Sequence, residues 1–332
     1  VEKQFSLKVY AKQPLKIIKR QEAASNANAQ AHFVQVSAST KMPNTEQQEA
    51  TKVSTTRIKA AQPCSHIITD AGGGFFSNML GAIAGLAKYG PHVLVRWSNK
   101  LYLAPNSDNV WTQYFEPPSN CIPDASTQQV QMAGWDWKFK DTEAMLSPQA
   151  QRIQLNDAMV SELEKYKWSS KHVLGVHVRS TDRSTDSVGL NLGLKIIPDE
   201  RYVKNIRQYL ETHPETEHIF VASDYQPSLN VLKQTFGNKI TYINAVRSSG
   251  SASIHHGHIT KPFDAGKSAV LDAWLLSKTD YKILSVSNLN VFAILLQGET
   301  AGFTLLNEID GYKRYRDLFA NRDRNGTGKY LP

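Results

Sequence analysis

Val173-Leu-Gly-Val-His-Val-Arg179 decides the fold: it is a short, almost wholly apolar run that ends in a cation. Such a run reads as a strand buried on both faces, the kind that parallel α/β layers are built from. Working outward, apolar runs of strand length alternate with helical patterns. Downstream, Asp199 to Glu211 reads as a helix with Tyr202, Ile206 and Tyr209 on one face, and His218-Ile-Phe-Val-Ala222 as a strand. The alternation then repeats: Pro227 to Phe236 helix, Lys239 to Ile243 strand, Ala265 to Lys278 helix, Tyr281 to Leu284 strand, Leu289 to Leu296 helix. This is a doubly wound sheet in outline.

Upstream lies a second block of the same kind. His66 to Thr69 reads as a strand, Ala71-Gly-Gly-Gly74 as a glycine loop, Ser77 to Tyr89 as a helix and His92 to Arg96 as a strand. From about 98 to 150 the pattern weakens, with Pro117-Pro118 marking a turn. Residues from about 20 to 62 are small and polar without apolar period, a linker or stem. The first 20 residues are basic and read equally as a strand or a solvated arm. The expected division is 1–62 arm, 63–168 first α/β domain, 169–300 second α/β domain and 301–332 tail.

Composition bounds the function classes. The chain has 332 residues, 41% of them hydrophobic, enough to fill two cores and too many for a disordered or fibrous protein. A net charge of +8 favours anionic partners, but the cations are scattered, and no basic helix or aromatic-interleaved strand motif points to nucleic acid. Two cysteines, Cys64 and Cys121, exclude a cysteine zinc cluster and form one disulfide or neither. No run approaches the roughly 20 apolar residues that cross a bilayer. The chain begins with Val, so an anchor or signal upstream stays open, as does the sequon at Asn325.

In open α/β sheets, ligands bind beyond the carboxyl ends of the strands. Three strand ends here carry polar residues: His177 and Arg179, then Ser223 and Asp224, then Ser285, Ser287 and Asn288. An Arg at the end of an apolar strand is half desolvated and calls for an anion, either a diphosphate or a carboxylate such as Asp182 or Asp224. His177 by itself reads as a core histidine. Asp272 stands alone in a helix that is apolar nearly all round; its partner is a nearby Lys, a backbone amide, or a ligand edge with two adjacent N–H groups, as guanine has. Gly73 and Gly74 precede a helix amino terminus and read either as a phosphate or sugar cradle or as a plain turn. Gly266-Lys267-Ser268 ends like a phosphate-binding loop but lacks its first glycine and its strand, and is rejected. His255, His256 and His258 sit in a Ser- and Gly-rich stretch and read as a loop, not a metal site.

Gly175 to Arg183, Ile219 to Asp224 and Leu271 to Asn288 resemble, in order and spacing, the three motifs of the α1,6-fucosyltransferase superfamily. Gly73 to Asn78, through Ala87-Lys-Tyr-Gly90, is similar to that group's amino-domain glycine segment. The resemblance spans roughly residues 66 to 300. It implies a glycosyltransferase B-like fold of two facing Rossmann-like domains with an irregular amino-terminal arm. It also implies GDP-fucose as donor, a glycan or glycoconjugate acceptor, inversion at the anomeric carbon, and no cofactor or metal.

Carried over by position, Arg179 holds the β-phosphate, His177 and Asp272 contact the guanosine, and Asp224 and Ser287 line the site. Ser285, Asn288, Gly73 and Gly74 are further donor-side candidates, and Asp182, Arg183 and Asp186 join Arg179 as catalytic candidates. The chain departs from the pattern at Ser180, where the family often has a second Arg, and at Arg183, where it has Lys. The family's acceptor base falls on Ser187, leaving Asp186 as the nearest carboxylate. A different nucleotide-sugar donor and a non-catalytic binding relative are the alternatives. The stem-like amino terminus favours a Golgi or secretory lumen, with a bacterial cytoplasm as the other setting.

Overall fold

The computed structural model describes residues 62–132, 143–168, 172–181, 196–250, 261–298, 300, 302–307 and 328–330. The chain divides into two units, Val1–Ile58 and Lys59–Pro332, and every described residue lies in the second. Asp182, Arg183, Asp186, Ser187, the histidines at 255–258, the sequon and the arm at 1–61 lie outside the described residues.

The amino-terminal block forms a parallel sheet of β1 (His66–Thr69), β2 (Val93–Arg96) and β3 (Gln128–Gln131), in the order β2-β1-β3. Helix α1 (Phe75–Tyr89) connects β1 to β2 and ends at Gly90, whose φ of 83° is open to glycine at no steric cost. Strand β3 did not show in the sequence because its Gln-Gln-Val-Gln lies at an edge and is largely exposed. A disulfide joins Cys64, two residues before β1, to Cys121. It closes a loop across 57 positions, worth about 4 kcal/mol by chain entropy.

The second block is a six-stranded parallel sheet. Its strands are β4 (Val173–Val178), β5 (His218–Ser223), β6 (Ile240–Thr241), β7 (Tyr281–Leu284), β8 (Gly302–Leu305) and β9 (Gly328–Tyr330). They run β6-β5-β4-β7-β8-β9, the Rossmann order. The expected α/β class with parallel sheets is therefore what the chain adopts. The segment expected to be a tail supplies β8 and β9, which pair in register with β7 and with each other.

Helices α2 (Glu143–Gln151) and α3 (Asp157–Glu164) lead from the first block to the second. Asn156 caps α3, its side chain accepting from Met159 N at 3.0 Å. The second block adds α4 (Asp199–Thr212), α5 (Gln226–Phe236), α6 (Pro262–Ser277) and α7 (Asn288–Gln297). None of the described helices is long and apolar enough to cross a membrane.

The register of the large sheet sorts its side chains by face. Leu174, Val176, Val178, Ile219, Val221 and Ile283 form one core with Tyr202 and Ile206 of α4 and Leu229 and Leu232 of α5. Phe220, Ala222 and Leu284 belong to the opposite core, with α6 and α7. That second core is shared with the small sheet. Phe76 meets Phe292 at 5.4 Å, Phe115 meets Trp274 at 5.6 Å, and Tyr114 stacks on Phe263 at 5.4 Å while donating to its carbonyl at 3.0 Å. Aromatic pairs of this kind contribute about 0.5–1.5 kcal/mol each beyond the area they bury, and they tie the two layers together.

Gly175 faces α6. A Cβ there would lie 2.5 Å from Thr279 Oγ1 and 2.8 Å from Leu276 Cδ1, so only glycine lets the helix end approach β4 this closely. Gly175→Ala is expected to destabilise the fold by about 1–3 kcal/mol through overpacking, read as a lower midpoint in urea denaturation.

Candidate functional site

Strands β4 and β7 are neighbours that the chain leaves in opposite directions. From β4 it proceeds to α4 on one face, and from β7 directly to α7 on the other. A crevice therefore opens at their carboxyl ends, the switch point where α/β sheets bind ligands.

Short ties hold the mouth of this crevice. Ser285 donates from its backbone N and from its Oγ to His177 O, each at 3.3 Å, and Arg179 N donates to Ser285 Oγ at 3.2 Å. Asp224, one residue beyond β5, accepts from Ser180 N at 3.2 Å and from Thr181 Oγ1 at 2.7 Å. The loop that follows β4 is thus pinned from both neighbouring strands, with Arg179 half-buried between the pins. The observed task of Asp224 and Ser285 is to shape this loop. Ser287 caps α7, its Oγ accepting from Leu289 N at 3.3 Å, and Asn288 opens the helix behind it.

His177 is buried and lies on the same face of β4 as Gly175, the face that α6 covers. Across that face lies Asp272, only 7% exposed, whose Oδ1 is buried without a hydrogen-bond partner among the described residues. Burial pushes its carboxyl up to about 8; Arg247 pulls it down and Asp224 pushes it further up. An apolar helix that keeps such a carboxylate is leaving an acceptor for something else to satisfy.

Arg247 gave no signal in the sequence, where it is one cation in the loop after β6. In the fold it donates to Ile243 O at 2.7 Å and Ala245 O at 3.3 Å, and its guanidinium lies 5.3 Å from the Tyr242 ring centre. Burial works against its charge and Asp272 supports it.

The structure therefore brings His177, Arg179, Asp224, Asp272, Ser285, Ser287 and Asn288 to the carboxyl end of one sheet. Gly73 and Gly74 belong to the other sheet, beyond β1. Gly73 has φ of 80°, its carbonyl accepts from Asn99 Nδ2 at 3.1 Å, and the first helical N–H after Gly74 is taken by the Tyr102 hydroxyl at 3.1 Å. These are the contacts of a tight turn held by its own layer. Gly266-Lys267-Ser268 lies inside α6, where a Cβ on Gly266 would meet the Tyr114 hydroxyl, in line with its rejection as a phosphate loop.

No known family profile and no curated protein matches the chain. Among solved structures, the chain is similar to NodZ alpha-1,6-fucosyltransferase co-crystallized with GDP, with a TM-score of 0.48 and 15% identity over 69% of this chain and 91% of that one. It is similar to POFUT1 in complex with GDP, with a TM-score of 0.45 and 11% identity over 74% of this chain and 99% of that one. It is also similar to a variant of Arabidopsis thaliana FUT1 in complex with GDP, with a TM-score of 0.43 and 11% identity over 75% and 72% of the two chains.

The position of Asp272 sets a pH signature. Between about pH 4 and pH 8 the unfolded chain ionises this carboxyl while the fold keeps it protonated, so the unfolded state binds fewer protons and stability falls as pH rises. Asp272→Asn removes this contribution. Urea midpoints measured from pH 4 to 8 are expected to show the wild type losing ground steadily to the variant; parallel profiles would contradict the assignment.

Proposed function

We propose that the chain is a glycosyltransferase that takes its sugar from a GDP-activated donor, with fucose as the sugar, and delivers it to a hydroxyl of a glycan or glycoconjugate. One observation carries this reading: a half-buried Arg stands at the end of β4, at the switch point of a Rossmann-ordered sheet, and the helix covering that face of β4 holds a buried carboxyl with an oxygen unpartnered among the described residues. The first suits a diphosphate and the second suits the two adjacent N–H groups of a guanine edge. The resemblance of three sequence motifs to fucosyltransferases names the same donor.

In this reading, Arg179 stabilises the charge that builds on the β-phosphate oxygen as the sugar leaves. The acceptor oxygen attacks the anomeric carbon from the opposite side, the bond to the phosphate oxygen breaks, and the configuration inverts. The acceptor proton passes to a carboxylate, for which Asp186 is the candidate. Fixed cationic charge takes the part a divalent ion plays elsewhere, so the reaction runs without one. Ser285 and Asp224 act through the loop they hold, and Ser287 through the start of α7. The Cys64–Cys121 disulfide favours an oxidising setting such as a secretory lumen.

Two outcomes follow. Arg179→Ala is expected to lose donor turnover by about a hundredfold or more, the scale of removing one transition-state charge contact, with its thermal midpoint little changed. Released GDP, measured with and without excess EDTA, is expected to be the same in the wild type. Normal turnover in the Arg179 variant would remove the mechanism. Stabilisation by UDP and not by GDP in a thermal melt would replace the donor.

A further inference from the structure

A turn buried between a strand and a helix has backbone groups that neither element pairs, and each needs a partner from elsewhere. Ser285-Val286-Ser287, between β7 and α7, is such a turn, and all three of its residues are buried. The sheet ladder stops just short of it. Leu306 N donates to Leu284 O at 2.8 Å, and beyond that point side chains take over.

Two asparagines supply them. Asn307, buried two residues past β8, accepts from Val286 N through its Oδ1 at 2.6 Å. Asn290, buried in the first turn of α7, donates from its Nδ2 to Ser285 O. These are the two ends of one peptide group. A peptide group is planar, with its C=O and N–H pointing to opposite sides, so partners on both ends fix its orientation. The residue whose carbonyl is held in this way also holds β4. Ser285 Oγ accepts from Arg179 N at 3.2 Å, and the N and Oγ of Ser285 each donate to His177 O at 3.3 Å. From Asn307 to Arg179 the path thus crosses one turn, with a hydrogen bond at each contact.

Taking away the Asn307 amide leaves Val286 N–H buried without that acceptor, a cost that drives the peptide to turn toward another. Ser285 is the pivot of such a turn, and its hydroxyl holds the backbone of Arg179. Misplacing a group at a reacting centre by about 1 Å costs up to about a hundredfold in rate.

We propose that Asn307, with Asn290 on the other end of the same peptide, is a positioning residue for Arg179: the pair locks the Ser285–Val286 peptide and so sets where the guanidinium meets the leaving diphosphate. This extends the donor site into the segment beyond β8 and rests on the donor reading given above. Both asparagines act through Ser285, and neither is assigned a contact with the donor.

The test is a double-mutant cycle on the full chain: wild type, Asn307→Leu, Arg179→Ala and the double variant. Turnover of GDP-fucose is read as released GDP, with water in the acceptor's place, and kcat is counted per GDP-binding site by calorimetry. Asn307→Leu keeps the side-chain volume and removes the acceptor. It is expected to lower kcat about tenfold while KM for GDP-fucose stays within about threefold, the mark of a contact made in the transition state. In the Arg179→Ala background the same substitution is expected to lower kcat by less than about twofold, because the two residues act as one unit.

A wild-type kcat per site in Asn307→Leu, with only the urea midpoint lowered, overturns the assignment and leaves Asn307 a purely structural residue. A loss of equal size in both backgrounds overturns it as well, since Asn307 then acts by a route other than Arg179. No release of GDP by the wild type removes the donor reading itself and this inference with it, so the two failures are told apart by the wild type alone. Should Asn307→Leu not fold, Asn290→Asp decides by the same cycle, because it keeps the shape and takes the donor from the other end of the peptide. A loss confined to the Arg179 background supports the proposal; an equal loss in both backgrounds, or none, overturns it.

Discussion

The tie from Ser285 to His177 and Arg179 is the constraint on which the rest depends. It joins the last residues of β4 to the first residue beyond β7, where two neighbouring strands lead to helices on opposite faces. Divergence opens a crevice there, and the tie keeps it from opening further. A second tie closes the other end of the same strand pair, where Asp280 accepts from Val173 N at 2.7 Å and its own N donates to Val173 O at 3.0 Å. With both ends fixed, the position of Arg179 is set by the backbone and not by its flexible side chain alone. In the proposed mechanism, preorganisation of this kind lets a single guanidinium act on a diphosphate without reorganising as charge moves.

Placement of polar groups in the second sheet follows the same economy. Helix α6 is buried along most of its length, and Gly175 lets its carboxyl end settle onto β4. That contact brings the end of α6 close to the sheet, with Asp272 about one helical turn earlier and buried. Buried Lys282 has a structural task at the opposite end of the strands, where its Nζ donates to Thr279 O at 3.0 Å and to Gln297 Oε1, satisfying groups at the ends of α6 and α7. Two buried residues, one on the sheet and one on the helix over the same face, thus serve different ends: Lys282 meets acceptors from the protein, whereas Asp272 keeps an oxygen that no described residue fills.

Much of this was legible in the sequence because central parallel strands announce themselves as apolar runs. Those containing Val173, Ile219 and Ile283 were placed within a residue of their observed ends, and their polar termini located the crevice. Elements decided by neighbours were not legible. Strand β3 has no apolar period, α2 carries Pro148 and little amphipathic pattern, and β8 was read as tail because its partner is fixed only once β7 is in place. The spacing of Cys64 and Cys121 left their pairing open; the bridge pairing Pro63 with Ile122, beside both cysteines, closes it. Arg247 gave no signal because its partners, the Ile243 and Ala245 carbonyls and the Tyr242 ring, are set by the path of the loop after β6.

Amide hydrogen exchange with and without GDP tests the central claim most directly, because it reports where the nucleotide sits without assuming which side chains hold it. The account predicts added protection confined to the carboxyl ends of β4, β5 and β7 and the start of α7, near residues 177–181, 223–225 and 285–289, with the small sheet little changed. Protection centred on the glycine loop before α1, or none at the β4–β7 switch point, would contradict it.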